Sequence, residues 1–401
     1  MAKGKANVSR DIIQGAIGWY SNSPYAATGY GQQTTQVLRR LRGDLLKVAA
    51  YSNYGLEGHN GTINLGTGEI DHYARGFDTY SNDVVPAHHA KFTHEHKDLP
   101  NLLITLYDVW VLNGPRWADH KIASWVPIDH SPVPPAVGAW LAQDNVAPIA
   151  MSKFGQQVLA MQGIESTYIP HAFEKTFRPM TELDGVSVRK YFNLGEDRFI
   201  FLMNAANKAA GLVHRKAFAE AFMAFGMFAK HHPEALLYVH SDALGSAGGW
   251  NLTELAAACS ISPEQIVFAD PYHYRNGLDQ DELAALYSAA DVLLATSYGE
   301  GFGCPTVEAQ LCGTPVIASN FAASRELAGP DSYLVDGQPL WDPAQKAWFT
   351  IPSIPGILES MDRAFARGRQ DFPKTVEWAQ QYDADHVYKT LWRPFLRKHL
   401  K

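Results

Sequence analysis

From Phe199 onward the chain alternates short apolar runs with longer amphipathic stretches, and few architectures accept that pattern. Phe199–Met203, Ala235–Val239, Ile266–Phe268, Val292–Ala295 and Val316–Ala318 read as strands, each a brief apolar run bounded by turn residues. Between them His214–Lys230, Leu252–Ala258 and Asp281–Ala290 show helical periodicity. Apolar strands separated by helices form a parallel sheet, and right-handed crossovers place helices on both of its faces. The first 170 residues alternate less clearly. Ile12–Tyr20 reads as a strand feeding a Gly-rich turn, Gln32–Leu41 as a helix, and Leu102–Leu106 and Ile122–Ile128 as buried strands. Residues 52–98 are rich in Gly, Asn, Asp and His and resist assignment.

At 401 residues the chain exceeds what a single core usually holds, roughly 250–300 residues, so two domains are expected. We place them at 1–170 and 171–375, with Ile169-Pro170-His171 as the linker. A terminal helix from Val376 carries Trp378, Tyr382, Trp392 and Phe395. That aromatic face needs a partner, and packing back on the first domain supplies one. The net charge of −7 speaks against nucleic acid as the main partner. Cys259, Cys304 and Cys312 have no zinc spacing. The N-terminus lacks the apolar run of a signal peptide, and no stretch approaches the roughly 18 apolar residues of a membrane span, so a cytoplasmic location is expected.

The strongest chemical signal is Tyr298-Gly-Glu-Gly-Phe-Gly-Cys-Pro-Thr-Val-Glu308, directly after a strand. Gly299, Gly301 and Gly303 allow close backbone approach to a ligand and positive φ. Pro305 suits the first turn of a helix that Gly313 and Pro315 end. A loop of this kind presents N–H groups at a helix N-terminus, at the carboxyl end of a parallel strand, which suits anions and polyols. By itself such a loop reads first as a tight strand–helix turn with solvated glutamates. Two carboxylates, Glu300 on the turn and Glu308 inside the helix, favour a ligand site.

This segment, EGFGCPTVEAQLCGTPVIAS, resembles the donor-site signature of family-4 retaining glycosyltransferases, whose GT-B fold sets two Rossmann-like, doubly wound parallel-sheet domains across a cleft. Leu283-Ala-Ala-Leu-Tyr-Ser-Ala-Ala-Asp-Val-Leu-Leu, Ala150-Met-Ser-Lys-Phe-Gly and Ile169-Pro-His-Ala-Phe-Glu-Lys-Thr-Phe-Arg-Pro179 carry the same resemblance. It implies that Glu308 holds the ribose of a nucleotide-sugar donor. It implies that Glu300 holds the donor sugar, with Gly301, Phe302, Gly303, Cys304, Pro305 and Thr306 lining the donor. Ionised carboxylates only accept hydrogen bonds, which suits hydroxyl partners. The family places a basic pair after the first strand of the second half, and Arg215 with Lys216 fits it, with Lys208 as a helper. Arg and Lys would hold the diphosphate and stabilise its departure. The usual glycine and arginine just after this strand are not obvious. Retention of anomeric configuration follows from the same resemblance, by front-face substitution or through a covalent carboxylate intermediate. The compact form of the family is also common among phage-encoded enzymes.

In the first half, Thr28-Gly-Tyr-Gly-Gln-Gln-Thr34 opens a helix. It is either a plain strand–helix turn or, as the resemblance suggests, a loop in which Gly29, Tyr30 and Gly31 approach the donor phosphates. Asp129 and His130 end a buried strand and are therefore expected at the cleft edge, as a structural turn or as contacts to the sugar. Asp108 and Trp110 end the preceding strand on the acceptor side, and Asp242 ends another near the nucleotide. Ser324-Arg325-Glu326 reads as a capped helix start. His88, His89, His94 and His96 form no HExxH, and Asp383-Ala-Asp385, formally a DxD, sits where an Asp caps a helix. We therefore expect neither metal nor cofactor, only the nucleotide sugar as co-substrate. The acceptor is unidentified: a saccharide, a protein or a modified DNA base. A sugar phosphorylase or a non-catalytic nucleotide-sugar binder on the same fold is the alternative. Phosphate dependence and donor hydrolysis separate these classes.

Overall fold

A computed structural model of the chain describes residues 13–44, 46–56, 58, 60–209 and 213–401. The opening segment MAKGKANVSRDI, read above for a leader, lies outside the described residues. The first half contains β1 (Ala16–Ser21), α1 (Gly29–Gly43), β2 (Lys47–Ser52), β3 (Gly61–Asn64), β4 (Glu69–Tyr73), α2 (Val85–Glu95), β5 (Asn101–Leu106), β6 (Ile122–Val126), α3 (Pro135–Leu141), β7 (Val146–Ala150), α4 (Lys153–Ala160) and β8 (Thr167–Tyr168). The second contains β9 (Glu182–Leu183), β10 (Val186–Ser187), α5 (Val188–Tyr191), β11 (Phe199–Asn204), α6 (Phe218–Ala229), β12 (Ala235–His240), α7 (Leu252–Ala258), β13 (Ile266–Phe268), α8 (Pro271–Asn276), α9 (Gln280–Ala289), β14 (Val292–Ala295), α10 (Cys304–Leu311), β15 (Val316–Ser319), α11 (Ala322–Leu327), β16 (Tyr333–Val335), β17 (Gly337–Asp342), β18 (Ala347–Pro352) and α12 (Ile354–Arg367). The chain ends in α13 (Pro373–Ala379), α14 (Ala384–Val387) and α15 (Arg393–His399).

Among the described residues the first sheet runs β3-β4-β2-β1-β5-β6-β7-β8 and the second β13-β12-β11-β14-β15-β16. All pairings in both are parallel except β3 with β4. The strand order reverses between β1 and β5 in one sheet and between β11 and β14 in the other. Ligands of open α/β sheets bind outside the carboxyl ends of strands at such switch points. The topology thus selects four loops: those after β1, β5, β11 and β14.

The unassigned region resolves into the β3–β4 hairpin and α2. Its histidines are structural contacts: His88 Nε2 lies 3.0 Å from the Ala74 carbonyl and His89 Nδ1 3.1 Å from the Tyr51 hydroxyl. The helix expected from His214 begins only at Phe218, because Ala217 adopts a left-handed φ of 55°. Arg215 and Lys216 consequently stay on a loop. The β17–β18 hairpin was not foreseen.

The terminal segment is not one helix. It breaks after Ala379, and Asp383 caps a new start by accepting from the His386 N–H at 2.9 Å. Before the break it stays on the second half: Trp378 lies against Gly329, and α13 contacts α10. After it the chain crosses to the first half. The crossing is clamped to the linker by Phe173 N–H to Tyr382 O and Ala384 N–H to Phe173 O, each 2.9 Å. Asp385 pairs with Arg40 at 2.7 Å rather than joining Asp383 at a common site, and Arg393 pairs with Asp44. Trp392 is 1% exposed, its ring centroid 6.1 Å from Trp19 and 5.0 Å from Trp125. Trp392→Ala should therefore cost about 3–5 kcal/mol, the range for emptying a buried aromatic site. Equilibrium urea denaturation checks this, and an unchanged midpoint would show the segment to be dispensable.

Candidate active site

The loops selected by the topology meet in one cleft. The Gly301 backbone faces Pro127, where an added Cβ would lie 2.2 Å from Pro127 Cβ. An added Cβ on Gly299 would lie 2.3 Å from the Asp129 carbonyl. These two glycines admit the backbone of the other half, not a ligand. Gly303 alone of the three has positive φ, 101°, and it starts α10. Across the cleft Thr28 caps α1 by accepting from the Gly31 N–H at 3.1 Å. The N-termini of α1 and α10 face each other: a Cβ on Gly29 would lie 3.5 Å from Cys304 Sγ. Gly31 itself is hemmed in by the Ala26 carbonyl, 2.1 Å from any added Cβ.

Glu300 anchors the charge. Arg215 Nη1 donates to Glu300 Oε2 at 3.0 Å and to the Gly299 carbonyl at 2.9 Å, and Lys216 Nζ donates to Glu300 Oε1. Burial works to raise the Glu300 carboxyl, but Lys216 and then Arg215 outweigh it and hold the group well below the usual carboxylate range. Burial, then the Arg215 charge, lowers the Lys216 ammonium. A small recess of about 30 Å³ opens here, lined by Asn204, Lys216, Thr296, Ser297, Glu300, Gly303, Pro305 and Thr306 among others.

Glu308 has a different environment. It is 3% exposed and accepts from the Tyr287 hydroxyl at 2.7 Å, which in turn accepts from Asn204 Nδ2 at 2.7 Å. Burial pushes its carboxyl up to about 7, with the Tyr287 bond opposing.

On the first half, burial and then the Asp129 charge push Asp108 up to about 6. The Arg215 charge opposes that shift, so Asp108 lies within reach of that charge. Tyr30 is held well above the usual phenol range by burial, then by Asp108 and Asp129. His130 Nδ1 lies 2.7 Å from Asp129 Oδ1. The structure thus brings Tyr30, Asp108, Asp129, His130, Arg215, Lys216 and Glu300 together.

Other sequence candidates fall outside that group. The Phe302 ring is committed to packing, 5.1 Å from His171 and 5.7 Å from Tyr382. Asp242 accepts from the Leu244 N–H in its own turn. Lys208 is exposed, and Trp110 is half-exposed. Two organising residues escaped the sequence reading. Asn207 ties the basic loop to Asp242 and Trp250 carbonyls and receives His214, at 2.6–2.8 Å. Asp342, on the β17–β18 hairpin, reaches His130 Nε2 at 3.4 Å. An Asn after a strand signals a turn, but nothing local marks a hairpin residue as a neighbour of a loop 212 positions away.

Residues 209–346 match the family described as glycosyl transferases group 1. A D-inositol 3-phosphate glycosyltransferase from Salinispora tropica is 38% identical over 135 residues, 32% of this chain and 24% of that protein. An MMP alpha-(1->4)-mannosyltransferase from Mycolicibacterium hassiacum is 43% identical over 67 residues, 17% of this chain and 16% of its own. The chain thus spans a quarter or less of these two relatives. A glycosyltransferase structure from Rickettsia africae superposes with a TM-score of 0.69 at 15% identity, covering 98% of this chain and 99% of the other. HepE of Anabaena, solved with UDP and glucose, gives 0.68 at 14% identity over 96% and 99%. These likenesses show the fold: two Rossmann-like domains across a cleft, the GT-B arrangement. Among the described residues no helix is long and apolar enough to cross a membrane.

The raised Glu308 sets a pH dependence. Its folded value, about 7, exceeds the ordinary 4.5, so its contribution to stability is full below about pH 4.5 and is lost as pH rises through 7. Glu308→Gln should remove this slope, gaining on the order of 2–3 kcal/mol on the wild type between pH 5 and 8. Urea denaturation of both proteins at the two pH values checks it; parallel profiles would refute the assignment.

Proposed function

We propose that the protein is a retaining glycosyltransferase that moves a sugar from a nucleotide-sugar donor to an acceptor hydroxyl in this cleft. The observation that carries the reading is the Arg215–Lys216 pair fixed on Glu300 between two opposed helix N-termini. Two cations share the single Glu300 carboxylate beside helix N-termini, where positive charge is unfavourable, and a diphosphate offsets it. The Arg215 side chain, 39% exposed, keeps donors other than Nη1 for phosphate oxygens. The matching family and the UDP and UDP-glucose bound to HepE support the same class of donor.

In this reading Glu308 accepts from the ribose hydroxyls, and their donation favours its ionised form. Glu300, already ionised, accepts from sugar hydroxyls while holding the two cations. As the anomeric C–O bond to phosphate lengthens, charge accumulates on the β-phosphate, and Arg215 and Lys216 stabilise it. The acceptor hydroxyl adds from the same face, and its proton passes to the departing phosphate, so no strong protein base is needed. Closure keeps water out of the site and spares the donor from hydrolysis. Because protein cations serve the diphosphate, we propose that transfer is metal-independent.

The test incubates the purified protein with UDP-, GDP- and ADP-sugars and monitors nucleoside diphosphate release. We expect release from at least one donor, by slow hydrolysis before an acceptor is found. Lys216→Ala should lower it on the order of 10²–10³-fold, as loss of a transition-state charge donor does. EDTA should leave it unchanged. Binding of donors without any release would reduce the protein to a nucleotide-sugar binder, and a rate restored only by Mn²⁺ or Mg²⁺ would overturn metal independence.

A further inference from the structure

The β17–β18 hairpin belongs to the second half of the chain, yet its contacts with the first half fall on two residues beside Asp129. Ser131 and Trp348 exchange backbone hydrogen bonds at 3.2 and 3.0 Å, so Ser131 extends the hairpin edge. The His130 ring lies on Phe349 with centroids 3.7 Å apart. Its Nε2 faces Asp342 Oδ2 at 3.4 Å while its Nδ1 faces Asp129 at 2.7 Å. The hairpin is itself fixed to the loop that carries Glu300: the Thr350 N–H donates to the Tyr298 carbonyl at 3.0 Å, and Phe349 packs with Tyr298 and Ala217. The imidazole of the first half is therefore clamped by one carboxylate from each side of the cleft.

We propose that Asp342 is a positioning residue for the His130–Asp129 pair, fixing the imidazole and through it the Asp129 carboxylate at the edge of the cleft. The inference rests on the transferase reading of this cleft. Asp342 divides its oxygens between two tasks. Oδ1 holds the hairpin turn, accepting from the Ala344 N–H at 2.8 Å and the Gln345 N–H at 3.3 Å. Oδ2 faces the imidazole. With a carboxylate oxygen before each ring nitrogen, the imidazole is fixed in one orientation, and Asp129, held through Nδ1, keeps its place beside Asp108 and Arg215. Since the clamp requires the hairpin and Ser131 together, the pair is set only when the two halves meet here, which couples its placement to closure.

Asp342→Asn separates the two tasks. The amide oxygen still accepts in the turn, whereas the group facing His130 changes from acceptor to donor. Release of UDP and GDP from UDP-glucose and GDP-mannose is measured for the wild type, Asp342→Asn, His130→Ala and the double variant, with UDP and GDP affinity by calorimetry and melting by circular dichroism. We expect unchanged melting, nucleotide affinity within twofold, and turnover lowered about tenfold by Asp342→Asn. In the His130→Ala background the same substitution should have no further effect, which a merely structural role would not produce. Wild-type turnover in Asp342→Asn, or a tenfold loss that persists without His130, would overturn the proposal while leaving the transferase reading intact. Absence of release by the wild type from every donor would remove that reading, and this proposal with it.

Discussion

Everything at the cleft depends on two backbone segments touching with no side chain between them. Gly299 and Gly301 face Asp129 and Pro127 at distances that no Cβ tolerates. Close-packed interiors transmit such contacts rigidly. With Gly299 against Asp129, Glu300 and its two cations lie opposite Asp108, Asp129 and Tyr30, and the hairpin behind Tyr298 lies over His130. A single methyl group here would move one half of the site relative to the other. The glycines therefore shape the site by what they let approach, and the approaching group is protein.

The two glutamates of the motif show how one residue type takes two roles through its surroundings. Glu300 is buried but faces two cations, and a buried charge is tolerable when paired and hydrogen-bonded. It stays ionised. Glu308 is just as enclosed, but its partner is the neutral Tyr287 hydroxyl, so burial prevails and its carboxyl rises to about 7. The first is held ready as a charge; the second awaits hydroxyl donors that stabilise its ionised form.

Much of this was legible in the sequence because it is local. Strands β12, β13 and β14, helices α7, α9 and α10, and the Gly-rich loop all follow from period and punctuation. Arg215 and Lys216 were singled out through the family resemblance, and the start of α6 was misplaced, since the left-handed Ala217 leaves no mark in composition. What stayed hidden is non-local. Phe302 looked like part of the donor loop, but its ring fills a gap among His171, Phe173 and Tyr382, residues far away in the chain. The aromatic terminal stretch signalled burial correctly and continuity wrongly: Asp383 reads as a cap, yet the pattern does not say that the chain changes domain there. Glu326 looked like part of its own helix start. It instead accepts from the N–H groups of Lys153 and Phe154, both at 2.7 Å, and so caps α4 of the other half.

That cap distinguishes the two sides of the molecule. Glu326 lies close to Tyr168 and Tyr382, beside the point where the terminal segment crosses and pairs with Phe173. A carboxylate on two N–H groups at a helix start is a charge-assisted contact aided by the helix dipole. With the backbone pairing of Phe173 to Tyr382 and Ala384, this side is held by directional and charged bonds, and the Arg40–Asp385 and Arg393–Asp44 bridges fasten the segment beyond the crossing to the first half. The cleft side is held by the Ser131–Trp348 exchange, the His130 clamp and van der Waals contact at glycines. Separating the halves at the cleft breaks few hydrogen bonds, whereas separating them at the crossing breaks the paired backbone and the Glu326 cap of α4. The two halves are thus joined more firmly at the crossing than at the cleft, where the hairpin's contact with His130 and the contact of Gly299 with Asp129 lie side by side.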